Sequence, residues 1–147
     1  MATLTPTLTL SCTDLTSDST NFTVTDSLTV TAPAGSVQKI STSANPLAAG
    51  AGILLTEANS TGTTFVYLRH TGVLASDETT ECHASNDFSR LSNADGDMDF
   101  IKLQPGEFCF FPLMEFDGSD GGVEAGGLKV EAASAAVMIE YAYWTRS

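Results

Sequence analysis

Phe100-Ile101-Lys102-Leu103-Gln104-Pro105-Gly106-Glu107-Phe108-Cys109-Phe110-Phe111-Pro112-Leu113 is the stretch whose reading decides the fold. Pro105 and Gly106 fill the two central positions of a type II turn, because proline fixes φ near −65° and glycine accepts φ > 0. The runs on either side are rich in aromatic residues, which favour extended backbone. A tight turn between two such runs predicts an antiparallel strand pair.

Working outward, the same two-residue period recurs. In residues 3–10, Leu4, Leu8 and Leu10 alternate with Thr3, Thr5, Thr7 and Thr9. Residues 22–31 set Phe22, Val24, Leu28 and Val30 against Thr23, Thr25, Ser27, Thr29 and Thr31. Both runs predict half-buried strands with a hydroxyl face. Pro6 lies inside the first, which confines residues 1–12 to an arm or an edge strand. Short strands are expected at residues 37–41, 53–56 and 63–70. Phe65-Val66-Tyr67-Leu68 is apolar on both faces and so marks a central strand. Residues 45–52 and the Asn59-Ser60-Thr61-Gly62 segment read as loop and turn, and residues 76–97 as the least regular region. Residues 128–132 and 136–145 close the chain. Ala132-Ala133-Ser134-Ala135-Ala136 favours helix, but Val137, Ile139, Tyr141 and Tyr143 alternate with Glu140 and Ala142 and favour strand. With no long helical period, the expectation is an all-β, single-domain antiparallel β-sandwich or jelly roll of about 8–10 short strands over residues 1–147.

The chain has 147 residues, the length of one domain. It carries 18 acidic against 6 basic residues, a net charge of −12. Such a balance excludes phosphate-backbone binding, which requires clustered Lys and Arg, and an anionic membrane surface for the same reason. No apolar run reaches the ~20 residues of a membrane span, and the N-terminus lacks the basic start and apolar run of a signal peptide. Cys12, Cys82 and Cys109 are too few and too widely spaced for a disulfide framework or a zinc knuckle. They read as free thiols in a reducing cytoplasm.

Chemistry-bearing patterns are sparse. Glu81-Cys82-His83 holds three ligand types, but neighbours on a strand point to opposite faces. His70 is the other histidine, and no His-x-His element of the cupin kind is present. There is no nucleophile elbow and no phosphate loop. Asn93, Asp95, Asp97 and Asp99 begin like a calcium loop, yet Met98 stands where the turn glycine belongs. Glu115, Asp117 and Asp120 form a second acidic turn. Both read as solvated loops, so no catalytic residue, metal or cofactor is expected, and the protein is read as non-enzymatic.

Two aromatic groups remain. Phe100, Phe108, Phe110 and Phe111 place rings on both sides of their strands, as do Tyr141, Tyr143 and Trp144. Either these rings fill the core, as aromatics do in sandwich interiors, or, since a two-layer fold has only one inner face per sheet, one face meets another subunit. Leu4, Leu8, Leu10, Phe111 and Trp144 are the interface candidates.

The segment from Leu103 through the Pro105-Gly106 turn to Phe108, Phe110, Phe111 and Pro112, followed by glycine-rich turns and a closing Val137-x-Ile139-Glu140-Tyr141-x-Tyr143 strand, resembles small all-β virion proteins of tailed bacteriophages. The likeness covers about the last 50 residues and rests on a turn and a closing strand. It implies a non-enzymatic structural role, above all as a capsid decoration (cement) protein on the outside of a phage head. Its partners would be the major capsid protein or other virion proteins and further copies of itself, with a trimer favoured. Its place would be the virion, assembled in the host cytoplasm. A neck, tail or fibre component is the related alternative. A carbohydrate-binding or adhesin module, with Trp144 as platform, is the more distant one.

Overall fold

A computed structural model describes residues 2–12, 20–33, 38–41, 53–57, 64–93, 99–113 and 127–146. These contain twelve strands and no helix. In chain order they are β1 (Ala2–Leu4), β2 (Thr7–Cys12), β3 (Thr20–Thr25), β4 (Leu28–Pro33), β5 (Gln38–Ser41), β6 (Ile53–Glu57), β7 (Thr64–Leu74), β8 (Ser89–Asn93), β9 (Asp99–Leu103), β10 (Phe108–Leu113), β11 (Gly127–Ala132) and β12 (Val137–Arg146). A six-stranded antiparallel sheet runs β1-β4-β12-β7-β10, with β5 also pairing β12. A four-stranded sheet runs β6-β11-β8-β9, and β2 and β3 form a two-stranded ribbon. The expected all-β class is observed, with twelve strands among the described residues where about 8–10 were expected.

β7 is the long central strand, between β12 and β10, as its two apolar faces require. Val66 and Leu68 point into a cluster with Leu91 of β8, Leu103 of β9, Leu128, Val130 and Ala132 of β11, and Val137 and Ile139 of β12. The two larger sheets therefore share one core. The ambiguous C-terminal segment is strand, because pairing along both edges of β12 and burial of Val137 and Ile139 outweigh the weak helical preference of the alanines before it.

The Pro105-Gly106 turn forms as expected, with Glu107 N–H donating to Gln104 C=O at 3.0 Å and Gly106 at φ +87°. Gly106 N–H also donates to His70 C=O (3.0 Å), while His70 N–H donates to Glu107 C=O (2.9 Å). Two residues thus oppose one, a β-bulge opened by a left-handed glycine. The alternation of an antiparallel ladder then points the backbone groups of Phe108, Phe110 and Pro112 away from β7, toward the outer edge of the sheet.

The structure corrects three readings. The runs 3–10 and 22–31 are each broken once, at Thr5-Pro6 and at Asp26-Ser27. Proline lacks an N–H, and the Asp26 carboxylate accepts the Ser27 N–H at 2.7 Å in place of a ladder bond. Asp26 N–H donates to Pro6 C=O at 3.1 Å, so the two breaks lie side by side. The register stays in step across them, with Leu4 opposite Leu28 and Thr7 opposite Thr25. The two runs are therefore one long kinked pair whose first half joins the large sheet and whose second half leaves it. The third correction is β8, which falls inside the region read as irregular. The expected loop and turn at 45–52 and 59–62, Asp95 and Asp97, and the acidic turn of Glu115, Asp117 and Asp120 lie outside the described residues.

Candidate functional site: an uncharged apolar face

The kinked pair has two chemically distinct sides. On one, Thr7 and Thr25 share a hydroxyl hydrogen bond of 3.2 Å, and Thr9 and Thr23 one of 3.1 Å. On the other, Leu8 lies opposite Val24 and Leu10 opposite Phe22. In a packed domain such a side faces a core, yet these four side chains are open to solvent, Val24 by 57%. The apolar side continues without a change of face into Leu4 and Leu28 at the sheet margin.

There it meets the outer face of the large sheet. Phe65, Tyr67, Phe110 and Trp144 alternate with the core-facing Val66, Leu68, Phe111 and Tyr143. Phe65 and Phe110 are stacked at 6.0 Å, and Trp144 tilts against Phe110 at 6.3 Å. Together with Leu4, Pro6, Thr7, Leu8, Phe108 and Cys109, the rings of Tyr67, Phe110 and Trp144 line a groove of about 720 Å³ that contains no charged residue. Phe108 is 62% exposed. Cys109 borders the groove through its backbone, while its thiol packs on the core side, where burial pushes its pKa up to about 11 and keeps it protonated and weakly reactive.

Of the interface candidates, Leu4, Leu8 and Trp144 come together in this groove, and Leu10 lies farther along the ribbon. Phe111 is elsewhere. It packs partly buried against the core, edge-on to Phe100 at 6.4 Å. Tyr67, Phe108, Phe110, Phe22 and Val24 were not among the interface candidates. In Phe108-Cys109-Phe110-Phe111 both faces are apolar, so alternation alone does not say which is outward.

Of the polar residues weighed for chemistry, His70 is tied into the fold by hydrogen bonds. His70 is fully buried; Gly72 N–H donates to its Nδ1 (3.1 Å), which places the proton on Nε2, the donor to Asp87 C=O at 2.8 Å. The Asp87 carboxylate accepts the His83 N–H and the Ser134 hydroxyl, at 2.8 and 2.7 Å. Glu81 and His83 are exposed, and Cys82 is partly buried. Asp99 pairs with Arg90 at 3.3 Å. Among the described residues no three His, Cys, Asp or Glu side chains converge on a metal position.

His70 carries a pH prediction. Burial lowers its pKa from 6.5, against the weaker opposite pull of Asp87. Above pH 6.5 the ring is neutral folded and unfolded. Below it the unfolded chain takes up the proton first, so stability falls as pH falls. Urea midpoints measured from pH 8 to pH 5 should decline more steeply for the natural chain than for His70→Gln. Equal slopes would place the dependence on other groups.

Compared with protein-family models and with curated proteins, the chain matches none.

Proposed function

We propose that the protein is a non-enzymatic structural component of a virion, a decoration (cement) protein bound to the outer surface of a tailed-phage head. The observation that carries this reading is the continuous uncharged face made by the ribbon and the groove. A soluble monomer rarely exposes so many large apolar side chains side by side, and such patches mark surfaces that another protein covers. The resemblance of the C-terminal half to small virion proteins supplies the setting. The net charge of −12 supports an outer position, because a strongly acidic chain is repelled by packaged DNA. Many copies on a symmetric shell would make one modest contact collectively strong. The major capsid protein is the partner on this reading, and a place on the neck, tail or fibre is the nearest alternative.

Purified protein mixed with undecorated heads should saturate their surface and raise their melting temperature, and Phe108→Glu should abolish both effects. Heads left bare would overturn the cement reading. The carbohydrate alternative draws on the aromatic groove around Trp144, although a lining of Thr7, Tyr67 and Cys109 offers few partners for sugar hydroxyls. Glycan binding lost in Trp144→Ala, with the fold intact, would favour it over the virion role.

A further inference from the structure

We infer that the ribbon of one copy lies in the groove of a second copy, so that the protein assembles with itself by exchanging β2 and β3. The inference rests on the part of the reading above that another protein covers this face, and it names a second copy of the chain as the protein that covers it. Three observations carry it.

The first is chemical fit. The ribbon strands, Thr7–Cys12 and Thr20–Thr25, hold no charged residue, and neither does the groove. On a chain of net charge −12, these are the surfaces on which two copies meet without setting like charges against each other. A differently charged partner would leave a basic complement unanswered here, whereas a second copy brings the same uncharged chemistry.

The second is area. Leu8, Leu10, Phe22 and Val24 on the ribbon and Phe108 and Phe110 beside it are each more than a third exposed. At ~150–250 Å² for a large side chain, they present roughly 600 Å² of apolar surface per copy. That approaches the ~800 Å² per partner of a stable interface before the polar rim is counted.

The third is geometry. The paired breaks at Pro6 and Asp26 keep the register but release the ribbon from the sheet, so its apolar side continues the wall of the groove instead of covering its own core. A ribbon that stays in register at its base while its apolar side remains uncovered by its own core is suited to exchange between copies. Each copy supplies one ribbon and one groove, so a closed dimer or ring satisfies every copy.

The test is the mass of the full chain in solution, measured by light scattering and sedimentation across the micromolar range. The natural chain should be a closed oligomer. Leu10→Glu/Val24→Glu in the ribbon and Phe108→Glu in the groove should each weaken association at least tenfold, the size expected for apolar anchors, with circular dichroism unchanged. Leu10→Thr/Val24→Thr, which keeps strand-forming residues, guards against a folding defect and should weaken association in the same direction. A monomeric natural chain, with its ribbon folded over its own groove, would overturn the inference. So would an oligomer indifferent to all three variants. Heads decorated by a monomer would remove self-exchange and leave the cement role standing. An oligomer that ignores heads would do the reverse.

Discussion

Lys129→Met should destabilise the fold by about 3–5 kcal/mol, the cost of leaving a buried charge without its partner. Lys129 and Glu131 lie two residues apart on β11, on the side opposite Leu128, Val130 and Ala132. That side would normally face water. Here both residues are buried, 5% and 6% exposed, and Lys129 Nζ sits 3.1 Å from Glu131 Oε1. Ser92, opposite Lys129 on β8, is buried as well, with no hydrogen-bond partner for its hydroxyl among the described residues. Removing one charge strands the other in a site where water cannot replace it. Removing both, in Lys129→Met/Glu131→Leu, should restore most of the stability, because desolvating the pair consumes much of its Coulombic gain. Urea denaturation of the two singles and the double closes the cycle. A single-substitution cost below about 1 kcal/mol would mean that the pair behaves as an exposed one.

Leu128→Ala, on the other side of the same strand, should cost a similar ~3–5 kcal/mol by a different route. Leu128 is wholly buried in the cluster shared by the two larger sheets, packed with Val66, Leu68, Leu91 and Ile139 among others. Truncation forfeits the transfer energy of the side chain and leaves a cavity that strands paired on both sides cannot collapse to fill. Leu128→Met, which keeps the volume, should cost less than ~1.5 kcal/mol. If Leu128→Ala and Leu128→Met lower the denaturation midpoint equally, volume is not what the position contributes. For a domain with a net stability of ~5–15 kcal/mol, either of the two large losses would leave a substantial unfolded fraction.

What could be read from the sequence follows the physics of each signal. The Pro105-Gly106 turn was legible because two adjacent residues with restricted or special φ leave few alternatives. The central place of β7 was legible because Phe65 to Leu68 leaves no polar face. The threonine runs were read correctly as strands but as single ones. Pro6 warned of its own break, whereas Asp26 broke the second run through a side-chain hydrogen bond that alternation does not report. Leu8 and Leu10 stood among the interface candidates, but the outward turn of their partners Val24 and Phe22 was not legible, since periodicity separates two faces without saying which is wet. The same ambiguity attached Phe111 to an interface, when Phe108 and Phe110 hold the open side. The buried Lys129–Glu131 pair was illegible for a related reason. In Leu128-Lys129-Val130-Glu131 the alternation points to a charged face in water, and only tertiary structure covers it.

The outward backbone of β10 also bears on how far this chain can go on adding strands. Among the described residues β10 has no partner on its outer side, and a sheet edge with Phe108 and Phe110 in alternate positions is a template for fibril growth. Pro112 occupies the next outward position, so its missing N–H costs the domain no ladder bond and withholds the third donor from any incoming strand. The margin can accept a short guest but cannot template a long one, and the chain thereby carries a brake on runaway polymerisation beside its stickiest residues.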